Sequence, residues 1–276
     1  IGNNAGSTGT VTVTGAGSTW TNSDDIRVGQ SGTGTLTISD GGAVASSAYI
    51  HIGTAAGSTG TTTVTGASST LTVTNSIYAG NMGDGTLTLS GGAQVTSDGG
   101  YLADHVGASG TVTVTGAASK WTNTADILVG QRDSGTLTIS DGAAITNVNA
   151  RVGNVAGSSG NVVISGTGSS WENSSNLYVG YVGTGTLTIS ESSTVSATSI
   201  SIADQGGSAG TLNIGAATGQ SAVAAGTLDT PTVAFGAGTG TLLFNHTSTE
   251  ASPYTFAPDI TGSGTISAEG GWTNLT

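Results

Sequence analysis

The stretch "GTGTLTISDGGAV", Gly32–Val44, holds a six-residue core that recurs. GTLTIS at Gly34–Ser39 returns as GTLTLS at Gly85–Ser90 and as GTLTIS at Gly135–Ser140 and Gly185–Ser190, at steps of 51, 50 and 50 residues. Between these lies a second set: GTVTVTG at Gly9–Gly15, GTTTVTG at Gly60–Gly66, GTVTVTG at Gly110–Gly116 and GNVVISG at Gly160–Gly166. Together they place a strand start at Gly9, 34, 60, 85, 110, 135, 160, 185 and 210, every 25 residues and once 26. Self-similarity at such a period marks a repeat architecture.

Each 25-residue unit carries three apolar bursts. The first alternates, as in Val11/Val13, Leu36/Ile38, Leu87/Leu89 and Leu187/Ile189. The second is one large residue: Trp20, Val44, Leu71, Val95, Trp121, Ile145, Trp171 and Val195. The third alternates again, as in Ile26/Val28, Ile50/Ile52, Ile127/Val129 and Ile200/Ile202. Period-two alternation of β-branched residues is a strand with one buried face. Gly, Asn, Asp and Ser between the bursts supply turns. Three short strands per turn of chain and no helical pattern predict an all-β parallel β-helix of about eleven coils, roughly 50 Å long at the usual strand spacing. A sandwich or antiparallel barrel would not repeat three unequal bursts so regularly.

Stacking converts one position in successive coils into a column. The middle outward position of the first burst reads Thr12, Thr37, Thr63, Thr88, Thr113, Thr138, Val163, Thr188 and Asn213. Threonine suits a strand and can bond to the residue above or below it. Asn22, Asn123 and Asn173, each two residues after a Trp, suggest an amide ladder on alternate coils. The Trp20, Leu71, Trp121 and Trp171 series reads as a packing slot, because Leu replaces Trp within it.

The rhythm changes from Ala216. All three prolines and all three phenylalanines fall within Ala216–Asp259, and Gly240 follows Gly210 by 30 residues. The expected organisation is one solenoid: regular coils over 1–215, altered coils with an insertion over 216–259, and a resumed coil over 260–276.

Composition narrows the function. The 276 residues include 48 glycines, 4 Lys or Arg and 16 Asp or Glu, for a net charge of −12. That balance disfavours nucleic acid, which needs clustered cations, and anionic lipid surfaces. With no cysteine there is no disulfide framework and no thiolate chemistry. No apolar run approaches the ~20 residues of a membrane-spanning helix. His51, His105 and His246 fall in different coils with no metal-ligand spacing, and no GxSxG elbow occurs. Asp25 and Asp126, like Asp40 and Asp141, are repeat-equivalents that do not converge on one centre. The expectation is therefore no enzyme, no cofactor and no metal. An ice-binding threonine array is disfavoured because Val163 and Asn213 interrupt the column.

Several segments carry a resemblance: the GTLTIS-x-GG/GA-x-V coils, "GAGSTWTNSDDIRVG" (Gly15–Gly29), "GAASKWTNTADILVG" (Gly116–Gly130), "GTGSSWENSSNLYVG" (Gly166–Gly180), and "AGTLDTPTVAFGAGTGTLLFNHTSTEASPYTFAPDITGSGTI" (Ala225–Ile266). Over nearly its whole length the chain resembles the passenger domains of Gram-negative autotransporters (type V secretion), in their Gly/Thr-rich adhesin-like group. The resemblance implies a right-handed β-helix, part of a longer passenger, carried to the bacterial cell surface by a C-terminal outer-membrane barrel of the same polypeptide. Family functions include self-association, host adhesion and, in some members, hydrolysis. The expected role here is homotypic adhesion between cells, in aggregation and biofilm, through the column Thr12, Thr37, Thr63, Thr88, Thr113, Thr138 and Thr188 and through Asn22, Asn123 and Asn173. Alternatives are an adhesin for a host glycan or matrix protein, and a stalk presenting a distal domain.

Overall fold

A computed structural model describes residues 1–276. The chain is a parallel β-solenoid without helices. Its first bursts form an 11-stranded sheet, its second a 9-stranded sheet and its third a 10-stranded sheet, each ordered strictly by coil. Register is like over like: Gly9 pairs with Gly34, Gly34 with Gly60, and Gly60 with Gly85. So the repetition of GTLTIS has a structural cause, since every coil meets the same neighbours above and below. The first and third sheets continue through the altered segment, with Gly210 over Gly240 and Val233 over Ile260. The second sheet stops at Thr227–Asp229. The strand that takes its place in the next coil, Tyr254–Phe256, pairs only with Thr273–Leu275.

One coil cannot bury its own apolar face; stacked coils fuse theirs into a single cluster of 48 buried residues. The glycine that opens each first-sheet strand is fixed by crowding and not by φ. A Cβ on Gly85 would lie 1.9 Å from the amide nitrogen of Gly80 and 2.4 Å from the carbonyl oxygen of Ile52. Backbone meets backbone there, so no side chain fits.

The second-burst slot holds core residues, as its Trp/Leu exchange suggests. Trp121, Trp171 and Leu71 are fully buried, while Trp20 in the first coil is half-buried. Room for each indole comes from the coil before it. Where Leu71 follows Ile50, Trp121 follows Gly100 and Trp171 follows Ala150. A Cβ on Gly100 would stand 2.5 Å from the indole Cη2 of Trp121. The indole N–H groups also find partners one coil back: Trp121 donates to Ser97 Oγ (3.0 Å) and Trp171 to Asn147 Oδ1 (2.7 Å).

Candidate interaction surface

The outward face of the first sheet is a wall of three columns. Its middle column is Thr12, Thr37, Thr63, Thr88, Thr113 and Thr138 in unbroken register, then Val163, Thr188, Asn213 and Leu243. On one side runs Thr10, Thr35, Thr61, Thr86, Thr111 and Thr136, and on the other Thr14, Ser39, Thr65, Ser90, Thr115 and Ser140. The first column sits two residues before the middle one in the same GTxT motif, and that spacing is its signal in the sequence.

Hydrogen bonding differs between the columns. The sequence suggests threonines bonded to one another along the middle column, but the single side-chain bond within it is from Asn213 Nδ2 to Thr188 Oγ1, at 3.0 Å. From Thr12 to Thr138 the hydroxyls are at least partly exposed and unbonded to each other. In the third column they are paired: Ser39 to Thr14, Ser90 to Thr65, and Thr115 with Ser140, each at 2.9 Å. Asp141 accepts from Thr115 and Ser140, and these bonds hold its carboxyl below the usual carboxylate range.

Charge is segregated. Among the nine first-sheet strands between Thr8 and Gly215, Asp84 is the sole charged residue. A chain of net charge −12 therefore presents one charge-poor face, with Asp84 in its strands and Asp40 and Asp141 bonded to hydroxyls along its edge.

The asparagines belong elsewhere. Asn123 and Asn173 are 5% and 4% exposed, at the inner corner between the second and third sheets. They continue a polar column with Ser97 and Asn147: Ser97 donates to Asn123 Oδ1 (2.7 Å), and Asn147 Nδ2 to Asn173 Oδ1 (2.8 Å). Asn22 turns its amide onto the carbonyls of Asp24 and Asp25. This ladder occupies successive coils, satisfies the buried indoles and presents nothing to a partner.

The third sheet carries an aromatic column that the Trp series overshadowed in the sequence. The central residues of its strands run Arg27, His51, Tyr78, Tyr101, Leu128, Arg151 and Tyr178. Reading the residue between each Ile-x-Val pair reveals it. His51 stacks on Tyr78 and Tyr78 on Tyr101, with centroids 4.9 and 5.0 Å apart. Each ring covers its neighbour's face, so edges rather than faces meet solvent, which suits lateral stabilisation better than sugar stacking. Burial pushes His51 below its ordinary pKa against the opposing pull of Asp25, whose carboxylate lies 3.7 Å from Nε2. Burial pushes Tyr78 up to about 12.

No three or more His, Asp or Glu side chains gather in a group able to hold a metal ion. A cleft of about 550 Å³ opens in the altered segment, lined by residues of 192–255 that include Thr227, Ser252 and Tyr254. No protein-family model, curated protein or solved structure matches the chain.

Proposed function

We propose that this chain is part of an autotransporter passenger displayed on a bacterial cell surface, and that it acts without catalysis, by pairing its first-sheet wall with that of another copy on a neighbouring cell. A parallel β-solenoid is the fold typical of such passengers, and the motifs quoted above point the same way. The single observation that carries homotypic pairing is the middle column of that wall, whose register-aligned hydroxyls from Thr12 to Thr138 are unbonded to each other on a charge-poor face. Elsewhere on this acidic rod, two copies would oppose like charges. On the wall they meet donors and acceptors, each contributing about 1 kcal/mol net when paired. Such weak contacts hold cells only through repetition and dense display. The inner Asn123 and Asn173 take no part.

Sedimentation of the purified chain tests the reading. Concentration-dependent dimers should form, strengthen with added salt as residual repulsion between acidic rims is screened, and vanish in Thr37→Lys/Thr88→Lys. A strictly monomeric chain, or dimers indifferent to the two lysines, would sink the proposal.

A further inference from the structure

The cleft in the altered segment lies where the second sheet is interrupted, and we infer that it is a binding site for a short neutral saccharide. This stands apart from the wall and does not depend on self-association. Its framework comes from strand alternation. Thr227 N–H donates to Ser193 O, and Ala197 N–H to Asp229 O, so both residues face the preceding coil. On the far side, Tyr254 N–H donates to Trp272 O and Thr276 N–H to Phe256 O, so both face the following coil. Successive residues of a strand point their peptide groups to opposite neighbours. Thr255 therefore turns its N–H and C=O away from Thr273–Leu275, toward the interrupted side of the sheet.

The lining defines the ligand chemistry. About 550 Å³ is within the range of ~300–1,000 Å³ for small-molecule sites. Such sites are usually mostly apolar, whereas seven of the eleven residues here are Ser or Thr, Ser192, Thr247 and Ser252 among them, and none is charged. Hydroxyls that both donate and accept match the hydroxyls of a sugar. Pro253 and Tyr254 add a limited apolar surface for its C–H face. The loop that bears the hydroxyls is held in place, with Ser252 N–H donating to Thr249 O and Trp272 N–H to Ser248 O. Tyr254 is fixed by its ring neighbours His246 and Phe244, at 5.3 and 6.4 Å.

Charge restricts the class further. Glu191 and Glu250, both exposed, adjoin lining residues Ser192 and Thr249 in the chain. All four cations, Arg27, Lys120, Arg132 and Arg151, belong to earlier coils. An anionic sugar would find no counter-charge, so the site selects neutral ones.

Saturation-transfer NMR on the intact chain tests this with millimolar lactose, maltose and cellobiose, and with sialyllactose as the charged comparison. At least one neutral sugar should receive transfer, more strongly than sialyllactose. The signal should be lost in Ser252→Trp and in Thr255→Trp, which place an indole at exposed lining positions, with circular dichroism unchanged. It should persist in Thr37→Lys/Thr88→Lys, so the site and the wall can fail separately. No transfer from any neutral sugar, transfer surviving both Trp variants, or a preference for sialyllactose would each overturn the inference.

Discussion

Exchanging Gly100 and Trp121 for the pair that an earlier coil uses tests the stacking most directly. Gly100→Ile alone drives a side chain into the indole, since even its Cβ would lie 2.5 Å from Cη2 and 2.8 Å from Cζ2 of Trp121. Overpacking of this kind costs about 1–3 kcal/mol. Trp121→Leu alone empties part of a fully buried slot. Complete truncation of such a residue to Ala costs ~3–5 kcal/mol, and Leu retains part of the volume, leaving about 2–4 kcal/mol. The hydroxyl of Ser97 loses the indole but still bonds Asn123, so no polar group is orphaned. Acting independently, the two changes would cost roughly 3–7 kcal/mol together. The double variant instead reproduces Ile50 beneath Leu71, and the inserted Ile occupies the space the indole vacates. It should lie within about 1 kcal/mol of the parent, a coupling of ~2 kcal/mol or more. Urea midpoints, with hydrogen exchange followed over residues 95–127 because solenoids open locally, give the four corners of the cycle. A double variant no more stable than the weaker single would refute the pairing of large with small across adjacent coils.

Other expected outcomes concern the corner glycines, the titrating side chains and the polar ladder. Gly85→Ala should cost about 3 kcal/mol or more, because its Cβ meets only backbone, and urea unfolding checks this. Burial lowers the folded-state pKa of His51 and His246 below 6.5, so the unfolded chain takes up protons first. Stability from these groups is therefore complete above pH 6.5 and declines as pH falls below it; His51→Gln should flatten that slope in thermal melts at pH 5–7. Tyr78 and Tyr254, held neutral up to about 12, should make stability fall as pH rises from 10 towards 12, when the unfolded chain ionises first. Asn147→Ala should cost about 1–3 kcal/mol by leaving the buried Trp171 N–H without its acceptor, while Asn147→Ser, the residue type that serves Trp121, should cost less in the same melts.

The solenoid was legible because stacking imposes one environment on equivalent residues, and that constraint appears in sequence as recurrence. Val11, Leu36 and Leu87 announce a buried face by alternation, and Gly34 and Gly85 announce a corner by their fixed spacing. The Thr12 column was legible for the same reason. The state of its hydroxyls was not, since bonded and free threonines share one pattern; only coordinates separate Thr37 from Thr115. Asn123 reads as a surface residue in the sequence because asparagine is usually exposed. Its burial follows from the last position of a second-sheet strand pointing inward, where the Ser97 hydroxyl donates to its Oδ1 and its Nδ2 is left without a partner. Tyr78 and Tyr101 carry no such signal, since each is the lone aromatic of its strand, and they become a stack only across coils. The interruption at Tyr254–Phe256 left a trace in the proline and phenylalanine content, but which strand loses its partner depends on the path of residues 216–226 and 246–253.

Like-over-like register also makes length an independent variable. Excising residues 85–134, two coils and roughly 10 Å of axis, would bring Gly135 onto Gly60, where Gly85 now stands. The same cut removes Gly100 together with Trp121 and spares Ala150 with Trp171, so no mismatched pair is created. Tandem duplication or loss of a fifty-residue unit can thus alter how far the rod reaches while changing interior contacts only at the new junction.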